Sequence, residues 1–260
     1  MIYHRQKQGI RIAEIWYTNA EIRSALEAEP DIIRCHYMDE LPAHAFSVEH
    51  LYTLLIDLTQ DEDTIFSHFN KTTQNEARRS KTKDNVIPVT KFHCGCTDQS
   101  ILEDYITFFN RFAHSKDRDC VDFSDYEPFF RASTLCIRSI DDNETNEPLT
   151  MHCYILSDGR ARLHQSASLF RNSEDKEERN KVSRANRFLH FDDMLYFKNQ
   201  GIPYYDFGGW YGGDSDREKL AINRFKEAFG GNKHTEYSCI IPVTVKGKLS
   251  TFARRILKGR

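Results

Sequence analysis

The sequence has no apolar run approaching the roughly 20 residues that a membrane-spanning helix needs. Its opening, MIYHRQKQGIRIAEIW, has neither the apolar core nor the small-residue cleavage site of a secretory signal. A cytoplasmic protein is therefore the expectation. Net basic charge is also missing: 36 Lys and Arg stand against 39 Asp and Glu, a formal charge of −3 at pH 7. That balance excludes a generally cationic nucleic-acid coat, because phosphate attraction needs a concentrated basic surface. The seven cysteines are odd in number and scattered from Cys35 to Cys239. In a chain too large to need stapling they read as free thiols rather than a disulfide framework. His93-Cys94-Gly95-Cys96 lacks zinc spacing and no second Cys/His pair follows at the usual distance, so no metal site is expected. Internal repeats and low-complexity linkers are absent too.

What the chain does have is apolar content sufficient for a core, 39% hydrophobic with 12% aromatic residues. Leu51–Leu58 reads as a short buried strand, followed by a helix from Asp61 or Asp63 through Lys81. Val86–Val89 returns as a strand, and Ile101–Phe112 carries a broad helical stripe. Thr134–Ile140, Leu149–Leu156 and Arg160–Ala167 form an antiparallel meander joined by turn-rich links. A charged stretch, Arg171–Lys181, leads into a helix from Ser183 to Asn199, which Gly201 ends. The strand Tyr204–Phe207, the helix Glu218–Phe229 and the strand Glu236–Val245 complete the pattern. The fold class is α/β of the α+β kind, a mixed and largely antiparallel sheet flanked by helices.

Several motifs occur in a telling order: Arg187-Phe188-Leu189 on a helix, Gly201, then Tyr205-Asp206-Phe207-Gly208-Gly209, then Asn223-Arg224-Phe225-Lys226-Glu227-Ala228-Phe229-Gly230-Gly231. With the Asp57-Leu58 strand end and the basic segment Asn75–Lys81, they resemble the Fem-type family of acyl and aminoacyl transferases over residues 50–240. The resemblance implies a GNAT-like fold and transfer of an acyl or aminoacyl group from acyl-CoA or aminoacyl-tRNA to an amine. The implied acceptor is a cell-envelope or surface-glycan precursor, and no tightly bound cofactor is implied. It divides the chain into an incomplete N-terminal GNAT-like part over 1–96, a GNAT-like acyltransferase domain over 97–245 and a basic helix over 246–260. Two features depart from the family. The N-terminal part is short for a second full unit, and Ser168–Ser173 holds no glycine-rich pyrophosphate loop.

Amide formation requires a deprotonated amine, a place for the developing oxyanion and close positioning, while a covalent enzyme intermediate is optional. Asp206, at a strand end before two glycines, serves either as the base for the amine or as the cap of its own turn. Gly208 and Gly209 offer backbone N–H groups to an oxyanion, or merely turn the chain. Trp210 and Tyr211, with His164 from the meander, are candidate acceptor-binding residues. His152 and His164 lie on adjacent strands where one face would bring them together, and Cys153 with His164 is a candidate nucleophilic pair without an orienting partner. Arg184, Asn186 and Arg187, near the expected start of the Ser183–Asn199 helix, suit a donor phosphate, as do Arg78, Arg79 and Lys226. The alternative is that these cations pair with neighbouring acids. The tail Lys246–Arg260 is basic and amphipathic, fit to lie on an anionic membrane, to follow RNA phosphate or to dock its apolar face on the domain. A second functional class stays open: a non-catalytic GNAT-like module that binds a nucleotide sugar, tRNA or a partner protein.

Overall fold

The computed structural model describes residues 1–169 and 174–258, the last five of these as backbone only, so part of the charged stretch from Arg171 lies outside the described residues. The chain divides into two compact units, 1–53 with 233–260, and 54–232. Neither boundary falls at the expected 96/97 junction. The strand Val86–Phe92 pairs with Leu135–Asp142, which ties it to the second unit.

In the first unit, β1 (Ile2–Lys7) and β2 (Ile10–Trp16) form an antiparallel hairpin. After the short α1 (Ile22–Glu27), β3 (Ile32–Met38) lies parallel to β2. The strand β10 (Asn232–Pro242) runs antiparallel to β3, and the first half of β4 (Ser47–Asp57) follows it in the sheet. Ala13, Ile15, Ile33, Cys35, Met38 and Cys239 make the core of this unit. The closing helix α8 (Val245–Lys258) rests on it through small residues. Gly247 comes so near the Asp31 backbone that a Cβ there would lie 1.9 Å from the Asp31 carbonyl oxygen. Thr251, one turn on, is 6% exposed.

In the second unit the sheet order is β4, β9 (Tyr204–Gly209), β8 (Arg160–Ser168), β7 (Pro148–Ser157), β6 (Leu135–Asp142) and β5 (Val86–Phe92). Strands β6 to β8 are the antiparallel meander expected from the sequence, and β5 extends it by pairing antiparallel to β6. Five helices follow the chain around this sheet: α2 (Glu62–Ser67), α3 (Lys71–Lys83), α4 (Gln99–Ser115), α5 (Phe123–Arg131) and the long α6 (Lys176–Asn199). A sixth, α7 (Arg217–Glu227), follows β9. The single helix expected over 61–81 is two, because Asn70 leaves helical geometry and its side chain accepts from Thr73 N, capping α3 afresh. Helix α6 starts seven residues before Ser183, where Asp175 accepts from the N–H groups of Glu177 and Glu178. Leu54, Ile56, Tyr154, Met194, Phe197, Phe207 and Phe229 pack one side of the sheet against α6 and the end of α7.

Candidate functional site

Strands β8 and β9 are parallel neighbours, yet only three residue pairs are in register: Arg160 with Tyr204, Ala161 with Tyr205, and Arg162 with Asp206. Beyond them the ends of both strands line a cavity of about 810 Å3. Its walls take Leu163, His164 and Gln165 from β8, Phe207 and Gly209 from β9, Asn186 and His190 from α6, and Phe225 and Lys226 from α7. A bulge helps shape this mouth. In the β7–β8 register Cys153 faces Gln165 while Tyr154 faces Leu163, so His164 is one residue in excess. His164 and Gln165 consequently both meet Tyr126 of α5, the His164 ring packing also on Phe129 and Gln165 accepting also from Tyr105 of α4. His164 is open to the cavity but walled by protein elsewhere, and that burial pushes its pKa down to about 4, Arg162 adding to the effect.

The β9–α7 wall ties its polar groups to one another. Asp206 is fully buried; its Oδ2 accepts from Arg162 Nη1 at 2.7 Å and its Oδ1 from Gly208 N at 2.8 Å. Gly208 sits at φ +68°, and a Cβ there would lie 2.6 Å from the Leu163 carbonyl oxygen, so no other residue fits between the two strands. Lys226 Nζ donates to the carbonyls of Gly208 and Gly209 at 3.2 and 2.5 Å. Burial lowers its pKa to about 8 despite the nearby Asp206 carboxylate, with Arg162 pushing the same way as burial. Asn223 clamps the following loop, accepting from Tyr211 N at 3.1 Å and donating to Tyr211 O at 2.8 Å.

Facing it, α6 presents polar residues on its inward side: Asn186, His190 and Asp193 recur at i, i+4 and i+7. They meet a second set from the sheet. Asp193 accepts from Arg138 Nε at 2.6 Å and from Tyr154 Oη at 2.5 Å, with His152 Nδ1 at 2.8 Å. His152 Nε2 lies 2.9 Å from the Asn186 amide, Tyr154 Oη lies 2.8 Å from Tyr205 Oη, and Tyr205 Oη lies 2.6 Å from His190 Nδ1. Arg138 also donates to Asp192 and covers the Tyr196 ring. The His190 ring is boxed by His152, Phe207, Phe225 and Phe229 at centroid distances of 4.3 to 5.5 Å.

Of the residues singled out in the sequence, the cavity brings together Asn186, Gly209, Lys226 and His164. Asp206 and Gly208 stand behind this wall, engaged with Arg162, with Lys226 and with each other. Trp210 packs on the core and Tyr211 folds over its own loop, with Lys219 above its ring. Arg184 and Arg187 lie in the third and fourth turns of α6, not at its N-terminus, because the helix begins at Lys176. Arg184 is bound to Asp84 at 2.6 Å and Glu177 at 2.9 Å, and Arg187 to Glu76 at 2.8 Å. Arg79 reaches Glu177, and Arg78 lies over the Phe66 ring. Arg79, Arg184 and Arg187 thus join α3 to α6, while Arg78 joins α3 to α2. His152 and His164 do not share a face: one meets α6, the other α5. Cys153 is fully buried and burial pushes its thiol up, so it offers no thiolate to a partner.

The sequence reading overlooks His190, Asp193, Tyr154, Tyr205 and Arg138. For His190 and Asp193 the available signal was the recurrence of polar residues at core-facing positions of α6; Tyr154, Tyr205 and Arg138 lie on strands and carried none.

No family model and no curated protein matches this chain at the level of sequence. Among solved structures it is similar to FemX, with a TM-score of 0.64 and 11% identity over 93% of this chain and 84% of that one. It is also similar to the C-terminal domain of a candidate lysylphosphatidylglycerol synthetase from Agrobacterium fabrum, with a TM-score of 0.55 and 10% identity over 98% and 84% of the two chains. A third likeness is to the L-PGS of Bacillus licheniformis, with a TM-score of 0.54 and 9% identity over 100% and 86%. At these identities the agreement is one of fold, and it is the GNAT-like, Fem-type fold that the motif order implied.

Proposed function

We propose, from the fold shared with FemX and the lysylphosphatidylglycerol synthetase domain, that this protein transfers an acyl or aminoacyl group to an amine in the β8–β9 cavity. The observation that carries the reading is the cavity: about 810 Å3, with aromatic walls and with His164, Asn186, His190 and Lys226 gathered on it. Sites for small ligands have this size and this mixture of apolar lining with few polar groups. The donor is acyl-CoA or aminoacyl-tRNA, used as a co-substrate and not held as a cofactor. Its phosphates fall to Lys116 and Arg118, which line the cavity, where Arg118 also pairs with Glu218 at 3.0 Å; Arg78, Arg79, Arg184 and Arg187 do not line it. Asp206 holds the glycine turn and Lys226 draws in its carbonyls, so this pair shapes the donor side.

The acceptor is an amine-bearing precursor of the cell envelope or a surface glycan, met at an anionic membrane surface. Helix α8 supports that location. Val245, Leu249 and Phe252 are 73, 67 and 58% exposed, and they recur along one side of the helix. The helix docks through Gly247 and Thr251 instead, opposite that stripe, and Lys246 and Lys248 flank it. An apolar stripe flanked by lysines suits the interface of anionic lipid. Sedimentation with phosphatidylglycerol vesicles should carry the wild type down and leave Leu249→Glu in solution; equal behaviour of the two, or binding to phosphatidylcholine alone, defeats this part of the reading.

The catalytic reading is tested by thermal melting with acyl-CoA esters and charged tRNA, followed by transfer assays to amine acceptors. A donor that binds the native state raises the melting point by mass action. A shift together with amide product supports the transferase. A shift from a nucleotide sugar, tRNA or a partner protein with no transfer from any donor supports the non-catalytic module.

A further inference from the structure

Hydrogen counting along the buried chain from Asp193 to His190 leaves only one arrangement. Asp193, ion-paired with Arg138, offers acceptors alone, so the 2.5 Å contact from Tyr154 Oη uses the Tyr154 proton. Tyr154 then has only an acceptor left for its 2.8 Å contact with Tyr205, which uses the Tyr205 proton. Tyr205 in turn has only an acceptor left for His190, 2.6 Å away, and so Nδ1 of His190 must carry the hydrogen. The other state, with Tyr205 donating to His190, would leave two phenol oxygens 2.8 Å apart with nothing between them. The direction holds for either protonation state of His152.

We infer that His190 is the general base of this site, fixed by the Tyr205–Tyr154–Asp193 chain as the Nδ1–H tautomer with Nε2 turned over to the substrate amine. The inference rests on the transferase reading above and adds the group that the reaction lacks there, since Asp206 is tied to Arg162 and Gly208. The ring lines the cavity, and its Nε2 has no hydrogen-bond partner among the described residues. Burial keeps the imidazole neutral, with His152, Lys226 and Arg187 each adding repulsion to a second proton. The aromatic box around it prevents the ring from turning.

The amine nitrogen attacks the carbonyl carbon of the donor ester or thioester and a C–N bond forms. His190 Nε2 takes one proton from that nitrogen. The C–O or C–S bond breaks as the tetrahedral adduct collapses, and His190 returns the proton to the leaving alkoxide or thiolate. The products are the amide and the free alcohol or thiol, and His190 ends as it began. Asp193, two phenols away, steadies the positive charge that the ring carries in between, in the manner of an orienting carboxylate. Tyr205 and Tyr154 are positioning residues; His190 is the one that touches substrate.

Nitrogen-15 NMR of the full chain labelled at histidine reads the tautomer directly, because protonated and bare ring nitrogens resonate far apart. At neutral pH the expected spectrum has His190 protonated at Nδ1 and bare at Nε2, and Tyr205→Phe should shift this ring toward the ordinary Nε2–H form. In transfer assays His190→Gln should lower kcat by about a hundredfold or more with little change in KM, the range lost with a general base. Tyr205→Phe, which keeps the ring but frees its tautomer, should lower kcat by about tenfold, in the range seen when the partner that orients a functional histidine is removed. A bare Nδ1 in the wild type, or a His190→Gln protein that turns over like the wild type, overturns the assignment. A wild type inert toward every acyl-CoA and aminoacyl-tRNA brings down the transferase reading and the base role with it, whereas wild-type turnover with an unaffected His190→Gln brings down His190 alone. Should His190→Gln fail to fold, the wild-type spectrum and Tyr205→Phe kinetics decide.

Discussion

The two walls of the cavity are built on opposite principles. On the β9–α7 side, Asp206, Gly208 and Lys226 saturate one another: carboxylate to guanidinium and amide, ammonium to two carbonyls. On the α6 side a chain of four polar groups is saturated at every link but its last, and that link is a ring nitrogen on the cavity wall. A closed set of contacts confers rigidity, while an open-ended one leaves a group available for chemistry. Motif residues here make the frame, and the proposed base follows the Arg187-Phe188-Leu189 motif on α6 without belonging to it.

Substitutions can break or sharpen that contrast. Asp206→Ala takes the carboxylate away from buried Arg162 and from the glycine turn, and should cost about 3–5 kcal/mol in denaturant unfolding, the usual loss when one partner of a buried ion pair is removed. A soluble variant that unfolds like the wild type while losing only turnover would reverse the roles of the two walls. Lys226→Met should alter the pH dependence of stability. The folded-state pKa of about 8 lies below the unfolded value, so the unfolded chain binds the proton more readily, and wild-type stability should climb as pH rises from 8 toward 10.5. The variant should lose that climb; a climb of equal size in both proteins would place Lys226 in water. Arg79→Ala should do least. Arg79 and Glu177 are both well exposed, and melting should move by no more than about 0.5 kcal/mol in free-energy terms. A larger loss of donor binding than of stability in that variant would return the phosphate to α3.

How much of this was legible depends on how local each signal is. The meander from β6 to β8 and the strand at Tyr204 read directly, because alternation and turn residues lie within each segment. The break between α2 and α3 did not, since Asn70 looks like any polar residue until its cap contact with Thr73 is seen. The first two turns of α6 are charged and outward-facing and carry no apolar period, so Asp175 is the sole local sign of their start. The short helix α5 holds Pro128 within it and escaped the pattern altogether. In the site, Lys226, Asn186 and His164 could be named as residues, but their role needed partners. His152 and Asp193 are 41 residues apart, Tyr154 and Tyr205 51. No spacing rule spans such distances, and a histidine among Phe188, Leu189 and Phe191 reads as part of the core until its hydrogens are counted.

The extra residue at His164 has an implication for how this strand tolerates changes of length. In a regular strand successive side chains alternate faces, and one added or removed position exchanges every face beyond it. With the bulge, His164 and Gln165 both reach α5, and Gln165 also α4, while Arg162, before them, keeps its hold on Asp206. Loss of a single codon at 164 would therefore not trim a rim of the cavity. It would rotate Gln165 off Tyr105 and Tyr126 or pull Arg162 away from Asp206, so insertions and deletions among homologous chains should avoid this strand even where nearby loops vary freely.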